Sequence, residues 1–324
     1  MRILIAGAAG FIGSNMVSFL KRNEPDARLD LFDLQYGRDL LDRESCEEAC
    51  WGKDLVIHFA NLSHVEKSIP PSASEQFLRN NIFGTWNLLN ACRDQRCKMI
   101  YISSSEVYGS AQSEFLNEKG QMPETHPLFP HSPYAASKVA CDRGCHAHWK
   151  TYGTDVRIVR PFNQFGPSQA SEKLVPKIID YQLRGHSFPC EDGGEQSRDY
   201  LYVQDTVRGI WTARDLPAGE AVNLCYGKDY SVRWFAERIQ DILGVMGKLP
   251  LPSAAPWISS GSRPGQVSRL CGCPDKAKAM LGWEPQNDLE VALESVVHWY
   301  VGHGFVVPPD EGNLNFERKA RSWR

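Results

Sequence analysis

Tyr134 and Lys138 stand four residues apart in the segment Ser-Pro-Tyr-Ala-Ala-Ser-Lys. On a helix that spacing puts both side chains on one face. Tyrosine is a poor base at its unperturbed pKa of about 10. A positive charge beside it favours the phenolate. A shift of roughly three units, about 4 kcal/mol, would let the phenol exchange protons near neutral pH. Upstream lies Ser103-Ser104-Ser105-Glu106-Val-Tyr-Gly, which adds hydroxyls and one carboxylate. Tyr-x-x-x-Lys pairs are also frequent on surface helices, and a lone acid after a strand is often only solvated. The surrounding chain must therefore supply the context.

That context begins at the N-terminus. Gly7, Gly10 and Gly13 follow an apolar run and open a helical pattern, with Phe11 and Ile12 between them. Glycines there allow a tight turn and a close backbone approach to a pyrophosphate, whose charge meets a helix N-terminus. Asp33 follows the second apolar run, twenty residues past Gly13. An acid at that point binds ribose hydroxyls and repels a 2'-phosphate, so the expected cofactor is NAD rather than NADP. Arg38 nearby points the other way. Asp39 and Leu40 suit an adenine contact or an ordinary turn, and the residues leave both open.

The elements that must hold these groups alternate. Strands are expected at residues 3–6, 29–34, 55–59, 99–103 and 156–160. Helices are expected up to residue 22 and at 77–93 and 134–152. This is the pattern of an α/β fold, a doubly wound parallel sheet. After about residue 165 the alternation weakens and proline and glycine become denser. Residues 1–165 read as mainly the dinucleotide-binding domain. Residues 166–307 read as a smaller, discontinuous substrate-binding region with helices at 232–243 and 289–300, some segments returning to the first domain. Residues 308–324 read as a tail.

The 324 residues carry a net charge of −3, with 42% hydrophobic and 23% charged residues, as in a soluble globular protein. Nothing in that balance attracts nucleic acid or an acidic membrane surface. No apolar run reaches the ~18 residues of a membrane span. The apolar start is too short for a signal peptide, so a cytoplasmic protein is expected. Ten cysteines should then be reduced and mostly buried. The tight pair Cys271-Gly-Cys273 lacks a second pair at zinc spacing, so no metal is expected.

Together the segments resemble the extended short-chain dehydrogenase/reductase family, in its nucleotide-sugar branch. The resemblance runs through about residues 1–300 in order. It includes His58-Phe-Ala60, Asn81-Ile-Phe-Gly-Thr85, Ser103 to Gly109, Tyr134 to Lys138, Arg160-Pro-Phe-Asn163-Gln-Phe-Gly-Pro167, Arg198 to Asp205 and Arg263-Pro-Gly265. Within the branch the chain is most similar to the NDP-glucose 4,6-dehydratases. Ser63-His64-Val-Glu-Lys-Ser-Ile, Glu172-Lys173-Leu174-Val-Pro and Glu106 carry that likeness. Ser105 departs from it, since many such dehydratases have Asp there. At this point the chain is closer to GDP-mannose dehydratases and UDP-glucuronate decarboxylases.

The resemblance implies a tightly held NAD and a nucleotide-diphosphate sugar as partner. Ser104, Ser105, Glu106, Tyr134 and Lys138 would be catalytic. Tyr134 would take the proton of the carbon-4 hydroxyl, Lys138 would lower its pKa, and Glu106 would remove the proton from carbon 5. Gly7, Gly10, Phe11, Ile12, Gly13, Asp33, Asp39, Leu40, Ala60, Asn81, Tyr134 and Lys138 would hold NAD. Ser63, His64, Asn163, Glu172, Lys173, Leu174, Arg198 and Arg263 would hold the substrate. It also implies a homodimer through helices near residues 77–93 and 134–152. A 4-epimerase or an NDP-uronate decarboxylase on the same scaffold is the alternative. A protein that binds NAD without catalysis is the alternative from another class.

Overall fold

The structure, a computed structural model, describes residues 1–261 and 265–305. The expected tail lies outside the described residues. The strands are β1 Arg2–Ala6, β2 Arg28–Phe32, β3 Leu55–His58, β4 Lys98–Ile102, β5 Val156–Pro161, β6 Asn163–Phe165, β7 Phe188–Glu191, β8 Ser197–Tyr202, β9 Ala221–Leu224, β10 Asp229–Ser231, β11 Trp257–Ser260 and β12 Arg269–Leu270. The α-helices are α1 Phe11–Asn23, α2 Arg43–Cys50, α3 Val65–Ser68, α4 Pro71–Leu78, α5 Gly84–Gln95, α6 Pro133–Tyr152, α7 Leu174–Leu183, α8 Val203–Thr212, α9 Val232–Val245, α10 Asp275–Leu281 and α11 Leu289–His303.

Six strands form one parallel sheet in the order β2-β1-β3-β4-β5-β9. Parallel strands covered on both faces should be apolar throughout. β1 and β3 meet that demand, with Ile3, Leu4, Ile5, Leu55, Val56 and Ile57 all buried. Alternation sorts their side chains. Ile3, Ile5, Leu55 and Ile57 pack with Met16 and Leu20 of α1 and Val207 and Ile210 of α8. Leu4, Ala6 and Val56 pack on the other face with Cys46 and Cys50 of α2, Leu88 and Cys92 of α5, and Cys141 and Cys145 of α6. The sheet is therefore doubly wound, and its winding reverses between β1 and β3. Ligands of such sheets bind outside the carboxyl ends of the strands at that reversal.

The later part of the chain builds a second core. Val175, Ile178 and Ile179 of α7 meet Phe235 and Ile239 of α9 and Leu293, Val296 and Val297 of α11. Around it β8 pairs with β10, β12 and β6, while β11 pairs with β7. β9, from this later part, returns to the main sheet beside β5. The sequence pattern did not foresee β9 as a strand. It also took residues 77–93 as one helix. α4 and α5 are instead joined by a π-turn at Arg79–Phe83. All ten cysteines are buried and free. Among the described residues no helix is long and apolar enough to cross a membrane.

Candidate active site

α6 is fixed at both ends by local chemistry. Ser132 caps it by accepting a hydrogen bond from the Ala135 amide at 3.1 Å, and Pro133 occupies its first turn. Gly153 ends it in the left-handed region at φ 69°. Tyr134 and Lys138 thereby lie in the first two turns, facing the end of β4, and both are buried. β4 runs directly into Ser103 and a 3-10 turn, Ser105–Tyr108. Ser104 caps this turn, its Oγ accepting from the Glu106 amide at 3.2 Å. The structure thus brings Ser104, Glu106, Tyr134 and Lys138 together.

Their electrostatics differ from expectation in one respect. Burial pushes the Tyr134 phenol above its ordinary value, a hydrogen bond with the Ser104 hydroxyl acts in the other direction, and Glu106 and Cys141 push it further up. Lys138 is not among the groups that move it. Its Nζ donates to the Ile102 carbonyl at 2.6 Å and to Asn61 Oδ1, and it stands over the Tyr101 ring. Burial lowers the Lys138 ammonium to about 8. His58, fully buried under the site, is driven down to about 3 by burial and by Lys138, so it is neutral. Its Nε2 meets Thr85 Oγ1 at 3.0 Å.

A buried polar chain holds α6 and the segment 103–106 in register. Arg160 of β5 grips Asp142 of α6 through Nε and Nη2, each at 2.9 Å. Asp142 also accepts from Ser103 Oγ at 2.8 Å. The Arg160 Nη1 reaches the Tyr108 hydroxyl at 2.9 Å, and that hydroxyl donates to Asn223 Oδ1 of β9 at 2.7 Å. One ion pair therefore ties α6, the Ser103 segment and β5 together. The sequence reading missed Asn61, Asp142 and the role of Arg160. Their partners are far away in sequence, and only the burial of charged residues on apolar elements hints at them.

The glycine loop lies at the reversal of the sheet. Gly7 has φ +84°, and a Cβ on it would stand 2.5 Å from the Ala60 amide nitrogen at the end of β3. A Cβ on Gly13 would strike the Gly7 carbonyl. Gly10 caps α1 without any side-chain hydrogen bond, so the helix N-terminus that carries Phe11 and Ile12 keeps no acceptor of its own there. Asp33 stands just past β2 and accepts from the Ala9 amide at 3.1 Å and the Gln35 amide at 3.1 Å. A cradle without Cβ atoms, an uncapped helix start and a neighbouring carboxylate suit a pyrophosphate with an attached ribose. Asn81, in the π-turn, binds the Leu62 backbone at 2.8 and 3.1 Å and Ser137 Oγ at 2.8 Å. It so fixes the segment from Ala60 onward against α6. Asp39 closes a turn on the Leu41 amide at 2.9 Å, and the Leu40 carbonyl accepts from Asn87 at 2.9 Å.

The expected substrate segments also converge. His64 Nε2 lies 3.1 Å from Glu172 Oε1, and Lys67 Nζ lies 3.4 Å from the same oxygen. Burial opposes the Glu172 charge, but its own backbone amide, Lys67 and His64 hold the carboxyl below its usual range. Ser63 precedes His64, Lys173 follows Glu172, and Leu174 opens α7. Asn163 begins β6 with a buried Oδ1 that has no partner among the described residues. Arg198 meets the loop before β12. Its guanidinium donates to the carbonyls of Ser197 at 2.9 Å and Val267 at 2.6 Å, bracing the loop before β12. Arg263 lies outside the described residues.

Fold and cradle define a dinucleotide-binding enzyme of the doubly wound α/β class. The chain belongs to the NAD dependent epimerase/dehydratase family, whose profile matches residues 3–225. Its cofactor is NAD. It is 32% identical to the low-salt glycan biosynthesis protein Agl12 of Haloferax volcanii, covering 93% of this chain and 99% of that one. It is 31% identical to dTDP-glucose 4,6-dehydratase of Shigella flexneri, covering 94% and 93%. The crystal structure of DesIV, a dTDP-glucose 4,6-dehydratase of Streptomyces venezuelae with NAD bound, superposes with a TM-score of 0.83 at 31% identity, covering 94% and 98%. The UDP-glucose 4-epimerase of Thermotoga maritima, solved with UDP-glucose, gives the same TM-score of 0.83 at 26% identity, covering 93% and 99%.

Proposed function

We propose that the chain is a nucleotide-sugar 4,6-dehydratase, converting an NDP-hexose to an NDP-4-keto-6-deoxyhexose. The observation that carries this reading is a carboxylate where an epimerase needs none. Glu106 leaves β4 one turn from Ser104 and close enough to Tyr134 to raise its phenol. Moving hydride away from carbon 4 and back needs one acid-base group. Eliminating water across carbons 5 and 6 needs a second, aimed at carbon 5.

Bound NAD supplies a reversible hydride acceptor and a positive charge beside the phenol. Held by the glycine loop, Asp33 and Lys138, it would leave these residues to do the proton chemistry. Ser104 and Tyr134 hold the carbon-4 hydroxyl, and Tyr134 accepts its proton as carbon 4 becomes a ketone. The ketone acidifies carbon 5, and Glu106 takes that proton. Hydroxide departs from carbon 6, protonated by Glu106 or through a water on Ser105. Carbon 6 would then regain, from the bound cofactor, the hydride lost at carbon 4, and carbon 5 would take a proton from solvent, so the sugar loses one water and is otherwise redox-neutral. Asn163, His64, Ser63 and the residues 172–174 form the substrate side, with Arg198 bracing it. Arg263 is assigned to the diphosphate by the sequence likeness alone.

A second reading rests on Ser105, which leaves no second carboxylate beside Glu106. Together with the superposition on a 4-epimerase, it keeps epimerisation or uronate decarboxylation as the rival. The test is incubation with dTDP-, UDP-, GDP- and CDP-hexoses in deuterated water, read by NMR. A 4-keto-6-deoxy product with deuterium at carbon 5 is expected. Inversion at carbon 4 without deuterium would overturn the assignment, as would a Glu106→Gln variant that dehydrates at the native rate.

We also propose a homodimer. Phe83 and Trp86, on the π-turn and α5, are 64% and 39% exposed. Phe83 lines a hollow together with Leu41, Glu75, Leu78, Arg79, Ile82 and Asn87. This strip lies on the face where α4, α5 and α6 adjoin, so a second copy of the same strip would make a four-helix contact.

A further inference from the structure

On the face of the sheet lined by α2 and α5, three cysteines distant in sequence meet. Cys50 ends α2, Cys92 lies in the last turn of α5, and Cys97 directly precedes β4. Their sulfur atoms all lie within 4.8 Å of one another, and Cys50 and Cys92 are 4.0 Å apart. None is more than 2% exposed. Among the described residues this is the one set of three potential metal-binding side chains so grouped. It serves nothing in the chemistry above. Cys97 precedes β4 and the catalytic Ser104 follows it, so the cluster sits at the opposite end of that strand.

We propose that Cys50, Cys92 and Cys97 form a three-sulfur site for a soft, univalent metal ion of the copper(I) type. An ion at the centre of a sulfur triangle, with metal–sulfur bonds of about 2.3 Å, needs sulfurs about 4.0 Å apart. The Cys50–Cys92 distance already has this value. Zinc wants a fourth ligand or a water, and the cluster offers three sulfurs in a dry core. Thiolate donors without oxygen or nitrogen select soft ions. Access is short, because Cys50 is followed at once by Trp51, which is 75% exposed.

The test is an anaerobic titration of the full chain with copper(I) buffered by a competing chelator, alongside zinc(II). One tightly bound copper per chain is expected, with a thiolate-to-metal charge-transfer band. X-ray absorption on the unsubstituted protein should find three sulfurs at about 2.3 Å. Cys97→Ser should lose at least tenfold in copper affinity, and Cys273→Ser should not. The metal-free fold of each variant is checked by circular dichroism. Failure to compete with the chelator would overturn the proposal, as would a sulfur count of two, equal loss in both variants, or zinc bound in preference to copper.

Discussion

Replacing Asp142 by Asn keeps the side chain's shape and removes its charge. In the native fold this carboxylate is completely buried, Arg160 is 3% exposed, and the two are joined by a two-pronged pair at 2.9 Å. Ser103 supplies a further hydrogen bond at 2.8 Å. Arg143 also touches Asp142, but its side chain is 48% exposed, so solvent screens it and it counts for little. Removing one partner of a buried pair costs about 3–5 kcal/mol, because the other charge stays buried alone. Asn still accepts one hydrogen bond, so the lower end, about 3 kcal/mol, is expected. That is a large share of the roughly 5–15 kcal/mol that holds a domain folded. Urea unfolding at pH 7, followed by circular dichroism, measures it. The double variant Asp142→Leu/Arg160→Met should lose less than Asp142→Asn, since no unpaired charge remains. The pH dependence has a definite sign. Burial opposes the Asp142 carboxylate, yet Arg160 and Arg143 outweigh it and hold the folded-state pKa below the ordinary value. The native advantage over Asp142→Asn is therefore complete above the unfolded value of about 3.9. It disappears as the pH falls through the lower folded value. A loss under about 1 kcal/mol at pH 7, the size of an average substitution, would refute the reasoning. So would a double variant worse than the single.

Lys138 gives a slope of the same sign in a more alkaline window. Burial lowers it to about 8, so between there and the unfolded value of about 10.4 the unfolded chain binds the extra proton. Relative to Lys138→Met, the native protein should gain stability as pH rises through that window, and a flat or falling difference in urea unfolding would contradict this. Gly7→Ala puts a methyl against the Ala60 amide at a φ of +84°. Loss of copurifying NAD, with about 1–3 kcal/mol of destabilisation, is expected from absorbance and unfolding. Asp33→Ser removes the charge that repels a 2'-phosphate, so the ratio of NADP to NAD affinity should rise at least tenfold by calorimetry. Phe83→Glu places a charge in the proposed dimer strip, and sedimentation at micromolar concentration should show the dimer of the native chain reduced to a monomer.

Where the candidate site rests on neighbours in the chain, its local structure was readable in advance. The Gly7–Gly13 loop needs only a strand before it and a helix after it. Tyr134 and Lys138 need only a helix, and Ser132 with Pro133 announces where it starts. The parallel sheet follows from apolar runs such as Ile3 to Ala6. What escaped notice depends on distant partners. Asn61 is an ordinary loop residue until Lys138 folds against it. Asp142 and Arg160 belong to different elements, and neither carries a local sign of the other. β9 is four residues long and flanked by turns, too short for its period to show. The three clustered cysteines span residues 50 to 97, while the pair that stood out by spacing, Cys271 and Cys273, is not part of the group.

The return of β9 to the edge of β5 has a bearing on how the polypeptide is made. Strands β1 to β5 leave the ribosome before it, and β5, buried along its whole length in the finished sheet, must wait for residues 221–224 to cover its outer rim. Until then the nascent chain presents an open row of amide and carbonyl groups on a strand built to be buried, the kind of border that recruits other chains. A fragment cut after residue 165 would keep that border permanently. The NAD-binding half should therefore precipitate when expressed alone, and a stable excised version would need its last strand grafted back.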